Sequence, residues 1–181
     1  MKKILRIERD EHPENPRTVW DNMGTMLCRH KHYNLGDKQL PSHKHRIDPK
    51  LVISLSLYLY DHSGITISTE PFSCSWDSGQ VGWIYVSKEA IRKEWGVKRI
   101  SKKLRLKIES ILRQEVTTYD EFLRGEVYSY SLIEKSTCDS CQHEHETDLD
   151  SCHGFYGSDH ESNGLYDQAG YENQNYEVEE L

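Results

Sequence analysis

The sequence predicts an α+β fold, in which an antiparallel sheet of about four to six strands packs against two helices and an acidic C-terminal segment follows. Three observations lead to this prediction. Residues 51–60 alternate between apolar and mostly polar side chains, residues 88–116 contain two segments of helical periodicity, and residues 127–133 return to a strand pattern. Strands therefore precede and follow a pair of helices, as in α+β domains.

The N-terminal region predicts one short strand and a long loop. Residues 2–9 mix three aliphatic side chains with charged ones, which predicts an edge strand. Residues 18–28 have nearly helical apolar spacing, but Gly24 weakens a helix there. Residues 28–49 are polar, rich in histidine and interrupted by prolines, so we expect an ordered loop.

The central region predicts a hairpin and a third strand. Leucine or isoleucine occupies every second position of residues 51–60, which gives one face for burial. A turn over residues 61–64 leads to a second strand over residues 65–69, so the two strands form a hairpin. Residues 80–86 are rich in aromatic and β-branched side chains and predict the third strand.

Two serines mark the starts of the helices. Ser87 suits the N-cap of a helix over residues 88–95, which Gly96 ends. Ser101 suits the N-cap of a longer helix that extends to about residue 116. This longer helix is amphipathic: one face holds Leu104, Ile108, Ile111, Leu112 and Glu115, and the other holds Lys102, Lys103, Lys107 and Arg113.

The C-terminal third divides near residue 157. Residues 127–133 predict a fourth strand, and residues 147–156 predict its partner. Beyond residue 157, Ser, Asn, Gly, Gln and Glu dominate, so helix and disorder are both arguable. We therefore predict an α+β domain over residues 1–157 and an acidic arm with tyrosines over residues 158–181.

Charge is distributed unevenly along the chain. Residues 136–181 contain twelve carboxylates and no Lys or Arg, whereas the first 135 residues hold all 23 basic residues against 18 acidic ones. Such asymmetry indicates charged partners rather than a particular fold. Spaced carboxylates are able to imitate a phosphate backbone or to occupy a basic groove.

The acidic arm is the first candidate interaction site. Its tyrosines supply contact area and its carboxylates supply charge complementarity, which favours docking on a basic groove over a purely solubilising role. A disordered acidic terminus is the alternative. The candidate partner-binding residues are Asp159, Glu161, Tyr166, Asp167, Tyr171, Glu172, Tyr176, Glu177, Glu179 and Glu180.

The segment from residue 88 to residue 114 is the second candidate site. It contains ten basic and three acidic residues, as expected of a surface that binds nucleic acid or another anionic partner. A solvated helix face and neutralisation of the acidic segment are the alternatives. The candidate nucleic-acid-binding residues are Lys98, Arg99, Lys102, Lys103, Lys107 and Arg113.

Cysteine and histidine residues suggest two further kinds of chemistry. Zinc prefers N and S ligands, and Cys138, Cys141, His143 and His145 lie within eight residues, but this spacing is too compressed for a standard second half-site. A polar hairpin tip is the competing interpretation, and we predict no cofactor.

Cys28 and Cys74 lie near histidines in sequence, but cysteine in such a setting is more often a small buried hydrophobe. We therefore assign no catalytic residue and expect no enzyme. No phosphate-loop or dinucleotide-binding motif occurs in the chain.

Three stretches of the sequence resemble one family of proteins. They are WDNMGTMLC over residues 20–28 with HYNLGD over residues 32–37, GITISTEPFSCSWDSGQVGWIYV over residues 64–86, and DSCHGFYG over residues 150–157. They resemble small proteins encoded by phages, prophages and plasmids. The resemblance covers roughly residues 1–160, excludes the Cys138 and Cys141 pair, and implies a mobile-element origin. Phage proteins of this size include anti-CRISPR proteins that block Cas9, so the resemblance suggests an anti-defence role.

These observations predict a cytoplasmic inhibitor that binds a nucleic-acid-handling host effector, such as Cas9 with its guide RNA, and blocks DNA binding or cleavage. The chain has no apolar run of about 18 residues that would span a membrane, and its N-terminus lacks the apolar region of a signal peptide. The alternative is a nucleic-acid-binding regulator of the mobile element that uses the basic helix over residues 101–116. A small enzyme that uses Cys74 or zinc is a third hypothesis.

Overall fold

The computed structural model describes residues 2–40, 47–138, 143–171 and 176–181. The chain folds into two compact units. The central unit is Asn15–Arg124, and the terminal unit combines Met1–Glu14 with Gly125–Leu181. The two ends of the chain thus belong to the same unit.

Where the structure describes it, the central unit contains a five-stranded mixed sheet and three helices. The strands, given in their order across the sheet, are β3 (Lys38–Gln39), β2 (Thr25–Cys28), β6 (Ser78–Ser87), β4 (Val52–Asp61) and β5 (Ile65–Ser68). β2 and β3 are parallel, and the other neighbouring pairs are antiparallel. The helices are α1 (Pro16–Val19), α2 (Lys88–Glu94) and α3 (Lys102–Leu123).

Local chemistry explains where α2 and α3 begin. The Ser87 hydroxyl accepts a hydrogen bond from the backbone N–H of Ala90 at 3.0 Å, and the Ser101 hydroxyl accepts one from Leu104 at 3.2 Å. Each serine satisfies a donor that the first helical turn leaves without a partner. Both predicted N-caps are therefore confirmed.

One face of α3 completes the core of the central unit. Ile108, Leu112, Val116 and Tyr119 are buried, at intervals of three and four residues. They pack with aliphatic residues of the central sheet, such as Ile84 and Ile53. The helix continues to Leu123, beyond the predicted end near residue 116.

Gly82 lets β2 and β6 approach closely. A Cβ atom at this position would lie 2.0 Å from the carbonyl oxygen of Leu27 on β2. No other residue type fits there without displacing backbone. The Gly82 position thus depends on a long-range strand pairing that the local sequence pattern does not reveal.

In the described residues, the terminal unit contains a four-stranded mixed sheet and one short α-helix. The strands, in order across the sheet, are β8 (Glu144–Tyr156), β7 (Val127–Thr137), β1 (Lys2–Arg9) and β9 (Glu177–Glu180). β1 is antiparallel to β7 and parallel to β9. The helix α4 (Leu165–Ala169) packs Leu165 and Ala169 in the core with Leu5, Ile7 and Tyr130.

The α+β class is confirmed, but the architecture differs from the single antiparallel sheet that we predicted. Two mixed sheets form, and the strand over residues 2–9 is an interior strand rather than an edge. Within residues 158–181, which we predicted as an arm, α4 and β9 belong to the terminal unit. Parallel pairing of β1 with β9 joins strands far apart in the chain, so periodicity along one segment does not predict it.

The described residues include no helix that is both long enough and apolar enough to cross a membrane.

Candidate functional site

The two units carry opposite net charges. The terminal unit has 18 acidic and 5 basic residues, a net charge of −13 with neutral histidines. The central unit has 12 acidic and 18 basic residues, a net charge of +6. The N-terminal residues up to Glu14, which are neutral overall, thus join the acidic C-terminal segment in one unit.

A row of carboxylates follows the edge strand of the terminal unit. β8 ends the sheet on one side, and its residues 144–151 are exposed. Glu144, Glu146 and Asp148 alternate along the strand, so that neighbouring carboxylates on this face are about 6.8 Å apart along the strand axis. We call these three residues the edge carboxylates.

A register shift places the next carboxylate on the other face. Asp148 lies opposite Ile133 and Asp150 lies opposite Leu132, with the irregularity between Leu132 and Ile133. Adjacent residues of a strand point to opposite faces, so Asp150 leaves the row of edge carboxylates. Its Oδ2 atom instead accepts a hydrogen bond of 2.8 Å from the Tyr130 hydroxyl, whose pKa is raised by burial and by this bond.

Cations of the same unit neutralise some of the carboxylates. The Arg6 guanidinium lies 3.3 Å from Glu146 and 3.0 Å from Glu179, and Lys135 lies 3.0 Å from Glu146. Hydrogen bonds from Lys135 and Arg6 lower the pKa of the Glu146 carboxyl. Lys2 pairs with Glu177. These pairs reduce the charge that is available to a partner at both Glu146 and Glu179.

Other carboxylates keep their full charge toward solvent. Within the part of the chain that the structure describes, no ion pair engages them, and all are exposed. Hydrogen bonds from Ser162 lower the pKa of Asp159, so this group stays ionised to lower pH. The set comprises Glu144, Asp148, Asp159, Glu161, Asp167 and Glu180.

The tyrosines of the predicted arm lie in an aromatic cluster on the sheet. Tyr166 stacks on Tyr171 with ring centroids 4.7 Å apart, and Tyr171 lies 6.5 Å from Tyr176. All three are half-buried and pack against the core of the terminal unit. Their apolar area thus serves packing within the unit. Glu172, another predicted partner-binding residue, lies outside the described residues.

The predicted nucleic-acid-binding residues share an exposed stretch of the central unit. Lys98 and Arg99 lie between α2 and α3, and Lys102, Lys103 and Lys107 lie on α3. All are exposed, as is Arg113, which contacts Glu70 at 2.6 Å. The first turn of α3 contains no acidic residue, so Lys102 and Lys103 oppose the positive end of the helix dipole. Helix stability therefore does not explain their positions.

The Cys and His cluster lies where β7 turns into β8. The backbone N–H of Cys138 donates to the carbonyl of His143 at 2.9 Å, which closes the hairpin. His145 is the second residue of β8, opposite Ser136. The competing interpretation, a polar hairpin tip, matches this arrangement. Cys141 lies outside the described residues, and the expectation that this cluster holds no metal stays a prediction.

The two cysteines considered for nucleophilic catalysis have different surroundings. Cys28 is buried, and burial together with the charge of Asp37 raises the pKa of its thiol to about 12. It is therefore a protonated thiol at neutral pH. The sulfur of Cys74 lies 3.8 Å from an Asp77 oxygen, and His62 Nδ1 lies 3.3 Å from the same oxygen. Asp77 is thus a shared neighbour of the thiol and the imidazole.

A buried ion network in the central unit was not predicted from the sequence. The Arg17 guanidinium, 1% exposed, donates two hydrogen bonds to Asp37 at 2.9 and 2.6 Å and one to Glu115 at 2.8 Å. It also donates to the Gly24 carbonyl oxygen at 2.6 Å. Burial disfavours its charge, but the bonds to Asp37 and Glu115 outweigh burial and raise the pKa of Arg17.

The carboxylates of this network also accept hydrogen bonds from backbone N–H groups. Glu115 accepts hydrogen bonds from the N–H groups of Met23 and Gly24, and Asp37 accepts one from Met26 at 2.7 Å. Residues 20–37 are thereby attached to α3. The network is structural, and the signal for it in the sequence was Glu115 on the apolar face of a helix.

No protein-family model, curated protein or solved structure matches this chain. The charges, burial and contacts described above are therefore the basis for any statement about function.

Proposed function

We propose that this protein is an anti-defence protein of a mobile element, and that it binds the cationic nucleic-acid channel of a host effector of the Cas9 type. The observation that carries the proposal is the net charge of −13 of the terminal unit, whose edge strand β8 exposes a row of carboxylates. Cas9-type effectors hold nucleic acid in a positively charged channel. An acidic surface there would compete with DNA.

The edge strand β8 supplies the repeating negative charge for this competition. A carboxylate about every 6.8 Å corresponds to roughly half the charge density of one DNA strand, which has one phosphate per about 3.4 Å of helix axis. The face of β8 that carries Glu144 and Asp148 is exposed, so its carboxylates are accessible to a flat or grooved cationic surface.

The packing of the tyrosines changes which residues we assign to the interface. Tyr166, Tyr171 and Tyr176 stabilise the terminal unit, and we place the contact with the effector on the carboxylates. Deletion of residues 158–181 would remove α4 and β9 together with the charge. Point substitutions therefore test the proposal, and the deletion does not.

The experiment measures inhibition of DNA cleavage by a purified Cas9–guide complex at increasing salt. We expect Glu144→Gln combined with Asp148→Asn to weaken inhibition on the order of tenfold at low salt, because charge complementarity controls such association. The effect should shrink as salt screens the charges.

The control is Glu89→Gln combined with Glu94→Gln on α2, which changes net charge equally on the other unit. Inhibition should be unchanged in this variant. Equal losses in both variants would refute a specific role for the edge carboxylates. In a pull-down, the wild-type protein should still bind the effector after nuclease has digested the nucleic acid. Loss of this binding would overturn the proposal.

The exposed basic stretch supports a second candidate, a nucleic-acid-binding regulator of the mobile element. Lys102 and Lys103 are placed against the helix dipole, which fits a role in contacting phosphate. Replacing both residues by Glu should then abolish DNA binding while leaving effector inhibition intact. If inhibition falls with DNA binding, the basic stretch belongs to the first function.

A further inference from the structure

A cleft in the central unit is not explained by either candidate function. It has a volume of about 860 Å³, within the usual range of about 300–1,000 Å³ for small-ligand sites. Leu59 and Val81, both buried, contribute apolar lining. Arg29 and Lys31 contribute cations, and Trp76 contributes an indole ring.

Trp76 is the most unusual feature of this cleft. Trp76 is 95% exposed. Burial of a tryptophan side chain stabilises a protein more than burial of most other side chains does, so this exposure is unusual. Hydrogen bonds hold the loop that carries Trp76 in place. The Asp61 N–H donates to the Asp77 carbonyl oxygen at 2.8 Å, and the Ser78 hydroxyl donates to the Cys74 carbonyl oxygen. The fold therefore holds a large aromatic ring in solvent beside an open cleft.

The charged groups of the cleft divide into engaged carboxylates and free cations. Asp61 accepts a hydrogen bond of 3.1 Å from the Tyr33 hydroxyl, and Asp77 faces His62. Among the described residues, no carboxylate forms an ion pair with Arg29 or Lys31, and both are exposed. Asp61 and Asp77 line the same cleft, but neither of them forms an ion pair with Arg29 or Lys31.

Backbone pairing fixes where these cations lie. The Arg29 N–H donates to the Val81 carbonyl oxygen at 2.7 Å, directly after the end of β2. Lys31 follows two residues later and lines the same cleft. One side of the cleft is therefore cationic, while Trp76 provides an aromatic face.

We propose that this cleft binds a nucleotide, with its base stacked on Trp76 and its phosphate held by Arg29 and Lys31. Aromatic stacking next to cations is the arrangement by which proteins hold single nucleotides of an unpaired strand. Asp61 and Asp77 retain acceptor capacity for base amino groups or sugar hydroxyls. The proposal goes beyond the acidic interface and does not depend on it.

A free nucleotide and a nucleotide within a single strand share this chemistry, and the test separates them. The wild-type protein is titrated with AMP, with UMP, with inorganic phosphate and with single-stranded DNA and RNA hexamers, and binding is followed by calorimetry. Binding of hexamers alone assigns the cleft to single strands. Binding of AMP or UMP as well assigns it to free nucleotides. Binding of phosphate with equal affinity would overturn the role of the base.

Two variants decide whether the cleft is responsible. Trp76→Ala should weaken binding at least about fivefold, as loss of one base–aromatic stack does, while Trp76→Phe should retain most of it. Trp20→Ala is the matched control, since Trp20 is another exposed tryptophan of the unit and does not line the cleft.

The basic stretch on α3 is the competing explanation for any nucleic-acid binding. Arg29→Gln combined with Lys31→Gln should reduce both affinity and its salt dependence. If Lys102→Gln combined with Lys103→Gln abolishes binding while Trp76→Ala leaves it unchanged, the proposal is wrong. Absence of binding to every nucleotide and hexamer at millimolar concentration would also overturn it.

Discussion

The central and terminal units stabilise their folds in different ways. Among the described residues, the central unit buries a cluster of fifteen apolar side chains around α3, and the corresponding cluster of the terminal unit has five. The central unit also buries an ion network, whereas the ion pairs of Lys2 and Arg6 in the terminal unit are more exposed. The terminal unit thus combines a small core with a high negative charge, and the central unit combines a large core with specific polar contacts.

Two arginines make this difference testable. Arg17 and Arg6 each bridge two carboxylates, but the Arg17 side chain is 1% exposed and the Arg6 side chain is 23% exposed. Removal of one partner from a buried network leaves uncompensated charge in the interior, whereas water compensates the loss of an exposed pair. The same substitution should therefore have very different effects in the two units.

The largest effect is expected for Arg17→Met. It leaves Asp37 and Glu115 without their buried counter-charge and should lower the free energy of unfolding by about 3–5 kcal/mol. The measurement is urea denaturation followed by tryptophan fluorescence, since all four tryptophans lie in the central unit. Arg6→Met, followed by circular dichroism, is the control and should cost less than about 1 kcal/mol. Similar losses in both variants would contradict the comparison.

An intermediate effect is expected for Gly82→Ala. The new Cβ atom would meet the Leu27 carbonyl oxygen and force β2 away from β6, which should lower the free energy of unfolding by about 1–3 kcal/mol. Gly79→Ala on the same strand is the matched control, because a Cβ there has no atom within 4 Å. A loss at position 79 equal to that at position 82 would contradict the close approach of β2 and β6 as the cause.

The smallest effects concern pH and should have opposite signs in the two units. The pKa of Cys28 is raised to about 12 in the folded state, so the thiol contributes stability below its unfolded pKa and loses it as pH rises toward 12. The pKa of Glu146 is lowered by Lys135 and Arg6, so its contribution is present above the unfolded pKa and is lost as pH falls.

Unfolding at pH 4, 7 and 10 measures these contributions. Tryptophan fluorescence should report alkaline destabilisation of the central unit, and Cys28→Ala should remove part of that pH dependence. Amide hydrogen exchange along β8 should report acid destabilisation of the terminal unit. An unchanged alkaline slope in Cys28→Ala would exclude this thiol as its origin.

Several elements were predictable because their signals are local. The alternation over residues 51–60 predicts β4, and Ser87 and Ser101 predict the starts of α2 and α3 through short-range hydrogen bonds. The amphipathic face of α3 was also predicted, including Glu115. The role of Glu115 was not, since its partners Arg17 and Met23 lie 98 and 92 positions away in the sequence.

The candidate site was predictable in its charge but not in its shape. Residues 136–181 were identified as acidic, and the terminal unit carries that charge. Composition did not indicate which carboxylates Arg6, Lys2 and Lys135 would neutralise, because those contacts follow from the order of strands in the sheet. The packing of Tyr166 on Tyr171 depends likewise on how α4 and Tyr171 pack on the core of the terminal unit.

The sequence by itself determined the secondary structure with the strongest periodicity, the α+β class and the charge asymmetry, since each depends on neighbouring residues or on composition. The tertiary structure decided that the two chain ends share one sheet, that the two units carry net charges of opposite sign, and that Trp76 lies exposed beside a cleft. These features depend on contacts between distant residues, whose free energies are set by burial and strand pairing that no local pattern records.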